Sequence, residues 1–329
     1  MERWARELAA RLPPLRPGSY RVARPPRALA HRTGHAWEQT ALPATAALWR
    51  APLLLCPANL APLAFPRNVV VLHDVAALRH PEWYTPAYAA WQRRLIPRVA
   101  RRARAVVTVS EFSRAEIAEA TGVEAVVIRG GVDEEFAARA DSAATRRALG
   151  LERPYVLTVA TSLARKNRAA LDLAARALRE RGVDLVAAGG QRGYMRADEA
   201  AADVHELGYV PEAHLPGLYA GARAFVLPSR HEGFGLPCLE AMAAGVPVIA
   251  AAAGALPETC DGAAILVPPE PEPIATALLK LLDDEDRRAG LREAGRRRAA
   301  ELTWDRTARE VDALLVRLAA PPGAPIRPG

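Results

Sequence analysis

The chain has 329 residues, half of them hydrophobic, enough for roughly two domains with substantial cores, which excludes intrinsic disorder as its main state. No apolar run approaches the roughly 20 residues of a membrane-spanning helix, and the amino end, from Met1 to Leu12, is charged and amphipathic without a secretory core, so a cytoplasmic chain is expected. The formal net charge is +7, yet Lys166 and Lys280 are the only lysines among 44 basic residues; this arginine skew, alongside abundant Ala, Pro and Gly, reads as GC-rich coding rather than as nucleic-acid binding.

In chain order, the opening residues predict an amphipathic helix, and short β-branched runs then alternate with helical patterns, the rhythm of parallel α/β architecture. Strands are expected at 52–56 and 69–72, a basic helix interrupted by Pro97 at 87–105, and a strand at 105–109. Next, Ser113-Arg114-Ala115-Glu116 reads as a capping box, with Gly122 ending that helix. A polar helical stretch between 131 and 151 separates two α/β halves, and a fresh strand follows at 155–160. Asn167 is placed to cap a helix that Gly182 closes, ahead of strands at 184–188 and near Leu207. A helix at 215–220 and a strand at 224–227 follow; Pro237 suits the first turn of a helix that Gly245 ends. Strands at 246–250 and 264–267 complete the series, before a carboxyl-terminal helix around 307–318 with an apolar stripe and a disordered Pro- and Gly-rich tail at 321–329. Cys56, Cys238 and Cys260 are odd in number and widely spaced, so neither a disulfide framework nor a zinc site is expected.

Chemistry concentrates in Arg230-His231-Glu232-Gly233-Phe234-Gly235-Leu236-Pro237-Cys238-Leu239-Glu240. A strand delivers the chain to a glycine-containing loop and a helix begins near Pro237, so exposed amides of Gly233, Phe234, Gly235 and Leu236 are expected to meet the positive end of a helix dipole and attract phosphate. Glu232 lies ahead of the helix and Glu240 in its first turn, both able to accept from neutral hydroxyls. Taken alone, the same residues also make an ordinary strand-to-helix turn. Arg165 and Lys166 follow a strand by a short loop, where two cations can neutralise a diphosphate leaving group. His73 ends the buried-looking run Val69-Val70-Val71-Leu72; Asp74 either orients it or caps the next loop, and Ser110 is a site residue or a turn former. His31, His35, His80, His205, His214 and His231 read as structural histidines. Arg93, Arg94, Arg98, Arg101, Arg102 and Arg104 on the basic helix suit either solvent or peripheral contact with an anionic membrane. No DxD cation site is present, since Asp283-Asp284-Glu285-Asp286 reads as helical and solvent-facing, and no metal is expected.

The spacing from Glu232 to Glu240 resembles the E-x7-E signature of retaining glycosyltransferases of family 4, with the GT-B fold, and Gly245-Val246-Pro247-Val248-Ile249 and Leu256-Pro257-Glu258 continue that pattern. Trp37-Glu38-Gln39, Leu42-Pro43, Pro57-Ala58-Asn59, His73-Asp74, Val109-Ser110-Glu111-Phe112-Ser113 and Gly131-Val132-Asp133 are similar to the amino-terminal domain of bacterial mannosyl- and rhamnosyltransferase-like members. Arg165-Lys166-Asn167, Leu207-Gly208-Tyr209-Val210 and Thr303-Trp304 look like their carboxyl-terminal counterparts. The resemblance implies an α/β fold of two Rossmann-like domains facing a cleft: an acceptor-side domain over 1–140, a nucleotide-sugar domain over 141–305, and a helix over 306–320 that returns to the first.

It further implies metal-independent, retaining transfer of a hexosyl group from a nucleoside diphosphate sugar to a hydroxyl of a glycan, lipid-linked sugar or small molecule, with no cofactor. Lys166 and Arg165 would bind the diphosphate, Glu232 the sugar hydroxyls, Glu240 the ribose and His73 the transferred sugar, while Tyr209 and Val210 line the nucleobase pocket. Two departures stand out. The family opens with a strand and a glycine loop, whereas this chain starts on a helix, so its amino-terminal domain is expected to lack the first strand; and Thr161-Ser162 stand where the family often has an arginine. A weakened nucleotide-sugar-binding protein or a GT-B sugar-nucleotide epimerase are the alternatives.

Overall fold

A computed structural model describes residues 2–26, 34–137, 141–190 and 203–320. The tail at 321–329, His31 and the side chain of His35 lie outside the described residues. Two compact units divide the chain: unit 1 holds the residues up to Arg79, Ala89–Gly130 and everything from Trp304 on, and unit 2 holds His80–Tyr88 and Gly131–Thr303.

Unit 1 is built on a parallel sheet of β1 (Leu54–Cys56), β2 (Asn68–Val71), β3 (Ala105–Thr108) and β4 (Ala125–Val127), in spatial order 1-2-3-4. Its central strand is Val after Val because helices cover both faces of a parallel sheet, and Val69, Val70 and Val71 have no exposed surface. Leu72, Ile96, Val99, Val106 and Ile117 pack into one core cluster beside it. The helix Pro86–Arg102 runs through Pro97 without interruption, contrary to expectation, and turns Ile96, Val99 and Ala100 to that core with its arginines outward. At the other side of the chain, the helices Glu2–Leu15 and Trp304–Ala319 pair: Trp4 meets Trp304 edge-on at 5.8 Å, Arg11 Nε donates to Asp305 at 2.8 Å, and the buried Asp312 accepts from Arg16 at 2.8 Å and from the Tyr20 hydroxyl at 2.6 Å.

In unit 2, β5 (Tyr155–Val159), β6 (Asp184–Ala188), β7 (His205–Gly208), β8 (Ala224–Leu227), β9 (Val248–Ala251) and β10 (Ile265–Val267) form a parallel sheet in order 10-9-8-5-6-7. From β5 the chain winds outward through β6 and β7, then returns to β8 on the other side of β5. The strand order therefore reverses between β5 and β8, and the crevice beyond their carboxyl ends is where ligands of such sheets bind. Leu171, Ala174 and Leu178 of one helical segment and Ile274, Leu278 and Leu281 of another bury against β5, β6, β8 and β9 on one face.

Three local expectations are corrected. The helix Glu111–Thr121 starts before Ser113; its cap is Ser110, whose side chain accepts from the Ser113 amide, while Gly122 does close it in the left-handed region. Asn167 stands at the start of the 3-10 turn Arg168–Leu171 that leads into the helix Asp172–Glu180, but its side chain makes no cap: it sits at φ 55°, and its Nδ2 donates to the carbonyls of Pro228 and Pro269 at 3.1 and 2.7 Å. The helix Leu236–Ala243 puts Glu240 in its second turn rather than its first. Among the described residues no helix is long and apolar enough to cross a membrane.

Candidate active site

The two segments that leave the switch point of unit 2 meet. After β5 the chain makes a 3-10 turn, Ala164–Lys166; after β8 it passes Pro228 and enters the glycine loop. They are laced together by main-chain and side-chain bonds: the Arg230 amide donates to the Arg165 carbonyl at 2.9 Å, Arg165 Nη1 donates to the His231 carbonyl at 3.2 Å, and Asn167 reaches Pro228 as above. A left-handed residue with a short amide side chain is what the turn at 167 requires, and asparagine tolerates it.

This lacing brings three of the expected site residues together. Lys166 Nζ donates to Glu232 Oε1 at 2.5 Å, and Arg165 Nη1 lies 3.8 Å from Glu232 Oε2. Lys166 and Glu232 are 9% and 6% exposed, so the pair is withdrawn from bulk water and cannot be treated as a surface salt bridge. Burial pushes the Glu232 carboxyl up, but Lys166 and Arg165 outweigh it and hold the group below the usual carboxylate range. The acid and the two cations, expected from the sequence in separate roles, form one cluster.

The loop itself is buried rather than exposed: Gly233, Phe234 and Gly235 are buried and Leu236 is partly so. Gly235, at φ 100°, sits in a region closed to ordinary side chains, and a Cβ there would stand 2.6 Å from Leu256 Cδ2. The Glu232 carbonyl accepts from the Ala255 amide at 2.9 Å, and Gly254 lies so close that a Cβ would be 2.7 Å from the Glu232 nitrogen. Phe234 is fixed through its carbonyl, which accepts from Thr259 Oγ1. Glu240, 5% exposed, accepts from the Tyr219 hydroxyl at 2.7 Å through Oε2, so it is anchored inside the unit as well as able to take further donors. Val210 is buried and Tyr209, just beyond β7, is 77% exposed, leaving its ring face open. Arg168, unremarked in the sequence, is buried with its guanidinium paired to Glu206, where it ties the end of β5 to β7.

In unit 1, His73, Asp74 and Ser110 gather at the carboxyl ends of β2 and β3. The His73 amide donates to Asn59 Oδ1 at 2.7 Å and its carbonyl accepts from Ser113 Oγ at 3.1 Å. His73 Nε2 is 2.9 Å from the Pro57 carbonyl; since a carbonyl only accepts, Nε2 carries the proton and Nδ1 is left as an acceptor. Burial pushes its pKa down to about 3, so the ring is neutral. Trp4 meets it edge-on at 5.5 Å. Asp74 accepts from the Ala76 amide at 3.1 Å, the capping alternative of its two sequence readings, and Ser110 is the helix cap described above.

Sequence reasoning missed Tyr219 as the holder of Glu240 and Gly254 as the neighbour of Glu232. His231, read as structural, is buried against the rings of His80 and Trp83, partners more than a hundred positions away that carry no local signal.

Residues 141–298 match the family model described as Glycosyl transferases group 1, and residues 2–136 match Glycosyltransferase Family 4. Among curated proteins, O-antigen chain mannosyltransferase B of Escherichia coli is 30% identical over 259 residues, covering 73% of this chain and 67% of that protein. MMP alpha-(1->4)-mannosyltransferase of Mycolicibacterium hassiacum is 38% identical over 116 residues, a match that spans 34% of this chain and only 28% of the relative's length. Of solved structures, sucrose-phosphate synthase from Thermosynechococcus elongatus superposes with a TM-score of 0.71 at 23% identity, over 92% of this chain and 82% of its own. HepE of Anabaena, in complex with UDP and glucose, superposes at 0.63 with 21% identity, over 76% of this chain and 71% of its own.

Proposed function

The chain belongs to glycosyltransferase family 4, with a GT-B fold of two Rossmann-like domains, and on that premise we propose that it moves a hexosyl group from a nucleoside diphosphate sugar to a hydroxyl, with retention and without a metal ion. The observation that carries this reading is the buried Lys166–Glu232–Arg165 cluster at the switch point between β5 and β8. Two cations held there by one carboxylate supply the positive charge that a departing diphosphate requires, in a site where such charges act in low dielectric. A neighbour of the same fold is solved with UDP and glucose, which supports a nucleotide-sugar donor here.

In the proposed step the bond from C1 to the phosphate oxygen breaks as the acceptor oxygen bonds C1 on the same face, and the acceptor proton passes to the leaving phosphate. Lys166 and Arg165 turn from Glu232 towards the diphosphate as its charge grows. The Glu232 carboxylate, relieved of part of its pairing, accepts hydroxyls of the sugar, and Glu240 accepts those of the ribose alongside Tyr219. The neutral His73 keeps Nδ1 as an acceptor for a hydroxyl. Double displacement would instead demand a carboxylate nucleophile against C1, whereas the proposed step uses the Glu232 carboxylate to accept sugar hydroxyls. The exposed arginines of the helix Pro86–Arg102 support peripheral contact with an anionic membrane, where a lipid-linked acceptor resides.

The test is product analysis in chelator, with nucleoside diphosphate hexoses and a set of hydroxyl acceptors, reading the anomeric configuration by proton NMR. Transfer with retained configuration is expected. An inverted product, a requirement for divalent metal, or a covalent sugar on Glu232 or Asp74 contradicts the mechanism. An epimerised donor in the absence of acceptor identifies an epimerase instead, and binding without turnover identifies a weakened enzyme.

A further inference from the structure

The segment His80–Tyr88 clusters with unit 2, although Arg79 before it and Ala89 after it belong to unit 1. Its contribution to unit 2 is aromatic. The rings of His80 and Trp83 stack with centroids 4.0 Å apart and planes at 19°. His231 meets both edge-on, 5.7 Å from His80 at 70° and 5.9 Å from Trp83 at 65°. His231 is buried, while His80 and Trp83 are half-buried. The stack is itself fixed: Pro81–Trp83 is a 3-10 turn, and His80 Nδ1 lies 3.0 Å from Glu82 Oε1.

The main chain of His231 belongs to the ion cluster. Its carbonyl accepts from Arg165, the residue before it donates to Arg165, and the residue after it is Glu232. A single side chain thus separates the ring stack from the carboxylate that holds both cations. We infer that His80 and Trp83 are positioning residues for the Lys166–Glu232–Arg165 cluster: by holding the His231 ring they fix the peptide that aims Glu232 at Lys166 and Arg165. Its catalytic meaning rests on the proposed donor site, whereas its geometry does not. Offset-stacked and edge-to-face geometries are those that ring pairs prefer, and displacements of order 1 Å at a reacting centre cost about 100-fold in rate.

Rings that merely fill space would lower the melting temperature when removed and leave the cluster intact. The sequence offers a direct readout, because Lys166 and Lys280 are the only lysines and Lys280 is exposed. In a pulse of acetic anhydride on the folded chain, the ratio of Lys166 to Lys280 acetylation by mass spectrometry reports whether Glu232 still pins Lys166. Wild type should show Lys166 strongly protected; Trp83→Ala and His80→Ala should raise the ratio about five-fold or more, since a loosened ion pair frees the neutral amine, and Trp83→Phe should restore protection. With donor, kcat/KM should fall about ten-fold in Trp83→Ala and recover in Trp83→Phe. An unchanged ratio in the folded alanine variants overturns the inference; should Trp83→Ala fail to fold, His80→Ala at the half-exposed ring decides. Failure of UDP and GDP alike to raise the melting temperature of wild type counts against the donor site and leaves the ring readout standing.

Discussion

Lys166 and Glu232 illustrate how a buried ion pair differs from a surface one. Removing one partner strands the other without water, which costs about 3–5 kcal/mol where the pair is sequestered. Lys166→Ala should therefore destabilise by roughly that amount in urea unfolding and abolish donor binding, whereas Glu232→Gln, which keeps the shape and an acceptor oxygen, should cost less stability; equal losses would contradict the pairing. Acid acts on this pair too: the Glu232 carboxyl titrates below its ordinary value, so its contribution is complete above pH 4.5 and is lost as pH falls through the lowered value. His73 works over a higher window. Its folded pKa of about 3 lies below the unfolded 6.5, so the unfolded chain binds the extra proton and stability declines as pH drops from 6.5 towards 3. His73→Gln, which cannot titrate, should flatten the stability profile between pH 6.5 and 4, and an unaltered slope would place His73 in a solvated site.

At the scale of elements, small-residue contacts decide which helices tolerate change. In the helix Glu285–Glu301, a Cβ on Gly290 would meet nothing within 4 Å, while one on Gly295 would stand 3.1 Å from Met242 Cγ on the helix Leu236–Ala243. Gly290→Ala should stabilise by about 1 kcal/mol through helix propensity alone, and Gly295→Ala should gain less or lose, because it presses on the helix that carries Glu240; a thermal melt of both variants reads the difference. The strands were legible in the sequence because parallel strands covered on both faces are unbroken apolar runs, so β2, β5, β6 and β8 fell where the Val, Leu and Ala runs predicted. β4, which was not anticipated, lies at the edge of its sheet with Val126 exposed rather than covered on both faces. The capping pattern at Ser113 misled because Ser110 offers the same chemistry three residues earlier, and Glu240 falls in the second turn because the helix begins at Leu236, one residue before Pro237. Chemical residue types and their order along the chain announced Lys166, Glu232 and Glu240. Their pairings, with each other, with Tyr219 and through the rings of residues 80 and 83, depend on how distant segments fold together, and no local pattern encodes that.

For the whole molecule, the net charge of +7 has a location as well as a size. Arg93, Arg94, Arg98, Arg101, Arg102 and Arg104 are exposed, and among the described residues none of the six makes an ion pair with a carboxylate. The apolar side of that helix is committed to the core of unit 1, so attraction to a membrane would be electrostatic, about 1 kcal/mol per arginine near the surface. Co-sedimentation with phosphatidylglycerol vesicles should occur at low salt, weaken with added salt, and drop when Arg93, Arg94 and Arg98 become Glu; equal pelleting with phosphatidylcholine would exclude this reading. The central claim concerns the donor. The most direct measurement is a thermal-shift panel of wild type and Lys166→Ala with GDP, UDP, dTDP and ADP in chelator, in which a ligand at 100 times its Kd adds about 2.7 kcal/mol to stability. A selective rise in Tm with one nucleoside diphosphate, lost in Lys166→Ala, is the predicted result; no shift with any of the four, or an equal shift in the variant, would contradict a diphosphate site at Lys166, Arg165 and Glu232.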